Sequence, residues 1–364
     1  MELQNIHRIA VFKMRNIGDV LVITPLLRAL RETFPLARIT AVVNSGTEAM
    51  LAHNPHIDEV LVYQRGGRKS GPFGRLRHEL GFVRELRKRR FDLTIGLTEG
   101  DRTVWYTHAC RATWRLGTTN DSWHRFDIRR LAYNLPSPIC LYPMHEVEKQ
   151  FETVEKAGLK LRSNKPGALC LVIPDDLRAW ARKELAPFRP AKVIHVHPVS
   201  RWLWKCWSNE AMAEVIDWLQ TERGARVVMT TGPEPAERTR AKEVVRLCHT
   251  QPLFYDGNIS LSQTAALSAE SDGYFGVDTA PMHMAAAVGT PVIALFGPTH
   301  PENWGPWSTH HQILSRPCPC EETKSVACDW SQVRACMAAI PVSDAQAALD
   351  QLLATPKLEL SSRS

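Results

Sequence analysis

Apolar, β-branched runs alternate with helical patterns along this chain, and the whole alternation occurs twice. Arg8–Met14 reads as a strand, followed by a turn at Asn16–Gly18 and a helix from Asp19 to about Thr33, with Asp19 placed to cap it. Arg38–Val43, Glu59–Tyr63 and Phe91–Leu97 are further strands. After a Pro/Ser/Gly-rich passage near 163–190 the pattern restarts, with strands Lys192–His197, Arg226–Thr231, Gly273–Val277 and Pro291–Phe296 and helices Asn209–Gln220 and Ala236–Cys248. Strands that are apolar throughout and separated by helices are covered on both faces, which means parallel sheets. A chain of 364 residues also exceeds what one core usually serves. The expectation is an α/β protein of two Rossmann-like domains, 1–170 and 171–354. A last helix, about Asp344–Leu353, either closes the second domain or packs back on the first.

Charge narrows the function classes. The formal net charge is +7, yet residues 65–90 hold ten Lys/Arg against two Asp/Glu, a local +8. The remainder is almost neutral, unlike a uniformly basic nucleic-acid binder, and only Phe73 and Phe82 offer aromatic stacking in the segment. A nucleic-acid partner is not expected. The first apolar run, Ile9–Phe12, is short and ends at Lys13, so no secretory leader is expected. The uncharged stretch Thr279–Pro301 is interrupted by Pro281, Gly289, Pro291, Gly297 and Pro298, so it reads as a helix and a buried strand and not as a membrane span. Nine cysteines, five of them isolated, suit a reducing cytoplasm.

Three constellations could carry chemistry. Arg15-Asn-Ile-Gly18-Asp19 follows the first strand, where open α/β sheets bind ligands. Asp19 there is either a helix cap or an acid facing the crevice. The dinucleotide fingerprint and the P-loop are both absent, which removes support for nicotinamide and NTPase readings. Ser200-Arg201-Trp-Leu-Trp204-Lys205-Cys-Trp207 follows the first strand of the second half. It packs a hydroxyl, two cations and three Trp into eight positions, suited to an anion or to an aromatic domain interface. Gly276-Val-Asp278-Thr279-Ala-Pro-Met-His283 ends a strand and starts a helix, with Asp278 as its cap and Pro281 in its first turn. The N–H groups of such a helix start hold anions, and His283 either donates to a phosphate or fills the core. No Asp-x-Asp pair occurs anywhere, so a cation held by one is unsupported.

The stretches GDVLVITPLLRAL, KCW and GVDTAPMHMAAAVGTPVIALFG, in this order and at these separations, resemble the bacterial heptosyltransferases of lipopolysaccharide core assembly, glycosyltransferase family 9. VSRWLWKCWSNEAMAEVIDWL and APMHMAAAVGTPVIALFGPTHPENWGPWS are most similar to the type III members, and the resemblance spans about residues 7–352. It implies a GT-B architecture, two Rossmann-like domains whose parallel sheets face a central cleft. It implies inverting transfer of heptose from ADP-L-glycero-β-D-manno-heptose to a heptose of the lipopolysaccharide inner core, without metal or other cofactor. By the same resemblance Asp19 matches the catalytic carboxylate, Lys205 the lysine that meets the donor diphosphate, and Ser200 a neighbouring hydroxyl donor. Asp278, Thr279 and His283 match the donor-binding helix start, and Glu237 falls near the ribose. Arg65, Arg68 and Lys69 fall near positions that hold acceptor anions.

The implied enzyme is cytoplasmic and peripherally bound to the inner leaflet, where basic residues favour an anionic surface. A solvated charged face is the plainer account of residues 65–90. Gly66, Gly67, Gly71 and Gly74 suggest a flexible loop there. Cys318, Cys320, Cys328 and Cys336 read as structural or inert thiols, since one residue between the first pair is tighter than zinc sites usually show. Other functions open to the fold are a related transferase with another acceptor, of the type I or II kind, and a nucleotide-binding protein without catalysis.

Overall fold

The computed structural model describes residues 3, 5–64, 71–98, 100–119, 132–140, 142–318 and 334–354. The strands β1 (Arg8–Lys13), β2 (Arg38–Asn44), β3 (Glu59–Tyr63), β4 (Leu93–Gly96), β5 (Trp114–Thr119) and β6 (Leu135–Pro138) form one sheet in the order β3-β2-β1-β4-β5-β6. A second sheet, in the order β12-β11-β10-β7-β8-β9, is built from β7 (Val193–His197), β8 (Arg226–Thr230), β9 (Leu253–Tyr255), β10 (Gly273–Val277), β11 (Val292–Phe296) and β12 (His311–Ser315). All neighbouring strands run parallel. The chain divides into the units Met1–Val172 and Ile173–Ser364, with one sheet in each.

Counted from its own first strand, each sheet has the doubly wound order 3-2-1-4-5-6. The order reverses between β1 and β4 in the first unit and between β7 and β10 in the second. Ligands of open α/β sheets bind outside the carboxyl ends of the strands at such reversals. The central strands are buried along almost their whole length: in β1 only Arg8 is exposed, and β7, β10 and β11 are buried at every residue. The helix Val342–Ala354 packs on the helix Asn209–Thr221 and on β11 and β12, so it belongs to the second core.

Three local expectations are corrected. The helix read from Asp19 to Thr33 is two helices, α1 (Ile17–Leu21) and α2 (Thr24–Thr33). Pro25 has no N–H to give to the Leu21 carbonyl, which accepts the Thr24 hydroxyl at 2.8 Å instead. The cap of α1 is Asn16; Asp19 stands three residues on and returns a contact to the Asn16 N–H at 3.3 Å. Gly71 and Gly74 do not belong to a flexible loop, because α3 (Gly71–Lys88) starts at Gly71 and Pro72 is preset for a first helical turn.

Strands passed over in the sequence lie mostly at sheet edges. β6 (Leu-Pro-Ser-Pro) and β9 are short outer strands, and β12 is half exposed. Proline cannot donate to a ladder and is tolerated only at such an edge. Among the described residues no helix is long and apolar enough to cross a membrane.

Candidate active site

In the first unit, α1 carries Asp19 directly beyond the carboxyl end of β1, beside the strand reversal. Asp19 is half-buried. The flanking loops are tied together: Met14 N–H donates to Thr98 Oγ1 at 3.1 Å, and Leu97 N–H to the Phe12 carbonyl at 3.0 Å. Lys13, the last residue of β1, is buried. Its ammonium donates to the Leu97 carbonyl at 3.2 Å and to Glu146 Oε1 at 3.1 Å, a buried cation satisfied by two acceptors. α4 (Asp101–Ala109) begins beyond β4, and its Arg102 guanidinium lies 5.0 Å over the Tyr63 ring. Arg65, Arg68 and Lys69 lie outside the described residues.

In the second unit the candidate residues ring the carboxyl ends of four adjacent strands, β8, β7, β10 and β11. Lys205 Nζ, from the loop after β7, donates to Asp278 Oδ2 at 2.5 Å, directly after β10. The pair thus spans the strand reversal. Its side chains are 16% and 6% exposed, so this is a buried pair, held further by Thr299 Oγ1 donating to the same carboxylate oxygen at 2.8 Å. Thr299 was not singled out in the sequence. Its signal was position, because it follows β11, the neighbour of β10.

Asp278 does not cap the following helix, Ala280–Ala287. The cap is Thr279, whose hydroxyl donates to the Val277 carbonyl at 3.3 Å, while its own carbonyl accepts the Met282 N–H at 3.1 Å. The Asp278 carboxylate is drawn to Lys205 instead. Gly276 lets β10 and β7 meet here: a Cβ would lie 2.5 Å from the His197 carbonyl oxygen. His283 is buried one turn into the helix, its ring edge-on to Trp304.

Ser200 is buried, and its Oγ accepts the Trp202 N–H at 3.2 Å, which shapes the loop. The three tryptophans separate. Trp207 enters the core and donates its indole N–H to the Ile340 carbonyl at 3.2 Å. Trp204 lies beneath two cations, Lys205 at 5.6 Å and Arg334 at 5.0 Å, whereas Trp202 is half exposed. Glu237 packs against Gly232, where a Cβ would lie 2.5 Å from its Oε2, so a larger residue there would have to move this carboxylate. Burial first, then Glu234, raises the Glu237 pKa, and Arg201 opposes them.

Behind the site, His195 Nδ1 is 2.7 Å from Ser268 Oγ and its Nε2 2.8 Å from Thr230 Oγ1, which is also 2.8 Å from His197 Nδ1. Burial lowers both imidazoles from 6.5 to about 3, with His197 adding to the shift at His195. Both rings are buried and held neutral. A depressed histidine contributes stability that is present above its unfolded pKa and lost as pH falls. Each ring takes up a proton on unfolding between about pH 6.5 and 3, at about 1.4 kcal/mol per pH unit. Stability to urea, followed by circular dichroism, should therefore weaken steadily below pH 6.5. His197→Asn should flatten that slope by about one proton; an unaltered slope would show that the ring is charged in the fold.

Cys318 and Cys336 are buried in the second core, while Cys320 and Cys328 lie outside the described residues.

Two doubly wound units, one presenting a carboxylate at its strand reversal and the other an ion pair beside a helix start, form the architecture of a GT-B glycosyltransferase. Solved structures share the fold. A family 9 glycosyl transferase from Veillonella parvula superposes with a TM-score of 0.80 at 23% identity, covering 97% of this chain and 98% of its own. The Escherichia coli ADP-heptose lps heptosyltransferase II does so with a TM-score of 0.75 at 18% identity, covering 95% and 98%. Among curated relatives, lipopolysaccharide heptosyltransferase 3 of Escherichia coli K12 is 30% identical over 298 residues, 81% of this chain and 84% of the relative. The chain belongs to glycosyltransferase family 9 (heptosyltransferase), whose model matches residues 80–333, and it is a glycosyltransferase.

Proposed function

We propose that this enzyme transfers L-glycero-D-manno-heptose from ADP-L-glycero-β-D-manno-heptose to a heptose of the lipopolysaccharide inner core, with inversion and without a metal. The observation that carries the reading is the Lys205–Asp278 pair across the second strand reversal, beside the Ala280–Ala287 helix start. A fixed cation and the positive end of a helix at that point suit a departing diphosphate. The name of the 30%-identical relative supports the lipopolysaccharide acceptor.

In this reaction the acceptor hydroxyl oxygen attacks the anomeric carbon on the face opposite ADP. Asp19 takes the hydroxyl proton as the new bond forms. The bond from the anomeric carbon to the diphosphate oxygen breaks, and Lys205, Ser200 and the N–H groups beyond Thr279 stabilise the charge left on ADP. Lys205 supplies the positive charge that a metal supplies elsewhere, and the chain has no Asp-x-Asp pair to hold one. Glu237, accepting from the ribose hydroxyls, and His283, donating to a phosphate, complete the donor site.

The test is transfer by the purified enzyme from ADP-heptose to a heptose-bearing core acceptor, with the product read by mass and anomeric configuration. An added heptose of inverted configuration, formed equally in EDTA, is expected. Retention, or loss in EDTA restored by magnesium, would refute the mechanism, and transfer only to a core lacking heptose would reassign the acceptor.

Arg65, Arg68 and Lys69 extend this reading to the acceptor anions. Replacing all three by Ala should raise the acceptor KM and lower its salt dependence, with ADP-heptose affinity nearly unchanged, because exposed charge pairs are screened by salt. Steady-state kinetics at two ionic strengths measure this. An unchanged acceptor KM and salt slope would reduce these cations to a solvated face.

A further inference from the structure

α3 is unusual among the helices of the first unit in keeping large apolar side chains in water. Phe73 is 89% exposed, Leu76 56% and Leu80 45%. Separated by three and four residues, they form one stripe along the helix. Towards the end of the helix the stripe runs on to Val83, seven residues beyond Leu76, which is buried with Leu86 in the core beside the partly buried Phe82. Exposed apolar residues scattered singly need no explanation, but three in register on one helix do.

The charges are arranged around the stripe. Arg77, Arg84 and Lys88, spaced seven and four apart, line the adjoining outer face, and all three are exposed. The two acids of the helix do not oppose them evenly. Glu79 is turned inward, where it accepts the hydroxyls of Tyr63, at 2.7 Å, and Tyr106. Glu85 lies against Lys88 at 2.6 Å and Arg89 at 3.5 Å. The neighbouring α4 adds Trp105, 53% exposed, a side chain at home in a bilayer interface. An apolar stripe flanked by cations whose long stems can snorkel is the pattern of a helix lying in an anionic lipid surface.

We propose that the exposed face of α3, with Phe73, Leu76 and Leu80 inserted and Arg77 and Arg84 at the headgroups, docks this enzyme on an anionic bilayer. The inference deepens the proposed function, since it rests on an acceptor that is a membrane lipid. The topology gives it purpose. α3 connects the parallel strands β3 and β4, so it runs against them and its first turns lie at their carboxyl ends. Asp19 follows β1 at that same end of the same sheet. Seating Phe73 and Leu76 in lipid brings the acceptor side of the unit to the surface from which a lipid-borne sugar projects.

The test is flotation of the full chain with vesicles of phosphatidylcholine alone or with phosphatidylglycerol at three parts in ten. The vesicles contain no sugar acceptor, so docking is read apart from transfer, and transfer to a delipidated core oligosaccharide tests the proposed function separately. Wild type should float with the anionic vesicles and far less with the neutral ones. F73S/L76S/L80S should lose at least about ten-fold in partitioning, and R77Q/R84Q should lose the preference for anionic lipid. Both should keep ADP affinity and transfer to the delipidated core. Phe73→Ser alone, at a side chain almost wholly in water, gives a partial loss free of any folding defect. Equal flotation of wild type and the triple variant would overturn the proposal. So would a wild-type dimer in sedimentation that the triple variant breaks, because the stripe would then be covered by a second copy.

Discussion

Asp19→Asn should lower turnover by about 10²–10⁴-fold, the loss expected on removing a general base, with ADP affinity and the fold retained. The substitution separates the helix-start contact this residue makes from the catalytic role proposed for it. As the third helical residue of α1, Asp19 accepts the Asn16 N–H through one carboxylate oxygen. That contact is long and half exposed, and an asparagine carbonyl can still accept it. A purely structural role therefore predicts a stability change well under the ~1 kcal/mol of an ordinary cap, with turnover intact. A catalytic role predicts the reverse, because an amide cannot take up a proton at neutral pH. Asp19→Ala should add the stability loss to the catalytic one. Turnover of Asp19→Asn within threefold of wild type, measured with saturating donor and acceptor, would leave Asp19 as a cap and nothing more.

The sequence was most legible where burial is complete. β1, β2, β7, β8, β10 and β11 are runs of buried apolar residues, and those runs identify parallel strands with little competition from other readings. Legibility failed where local chemistry overrode the pattern. Apolar spacing alone joins α1 to α2, and the break depends on one missing N–H at Pro25. α3 was obscured at its start by Gly71 and Gly74, which usually mark loops but here lie in a first turn opened by Pro72. The candidate site divides in the same way. Asp19, Lys205 and Asp278 stand out as candidates because strand ends in an open α/β sheet are where ligands bind. Thr299, Lys13 and Arg334 do not, since each acquires its place from a partner distant in sequence: Thr299 from Asp278, Lys13 from Glu146, and Arg334 from Trp204. The opposite fates of Trp204 and Trp207, three residues apart, likewise depend on which neighbour the core supplies.

Lys205→Ala should weaken ADP binding ten-fold or more in calorimetry and slow the loss of ADP in turnover. One hydrogen bond to a charged group contributes about 1.5–3 kcal/mol, and each 1.4 kcal/mol is a factor of about ten in affinity. The same substitution must also destabilise the second unit. It leaves the Asp278 carboxylate, 6% exposed, with Thr299 as its remaining side-chain partner here. Removing one member of a buried pair costs about 3–5 kcal/mol, most of it from the charge left behind. Weaker binding alone therefore does not separate a donor ligand from a structural lysine, and a double-mutant cycle does. In Lys205→Ala with Asp278→Ala no charge is stranded, so stability should recover much of what either single change loses. If Lys205 meets the diphosphate, ADP affinity should not recover with it, because the cation is still missing. Stability and ADP affinity that rise together in the double variant would make the pair a structural device and send the search for the diphosphate cation to Arg201 or Arg334.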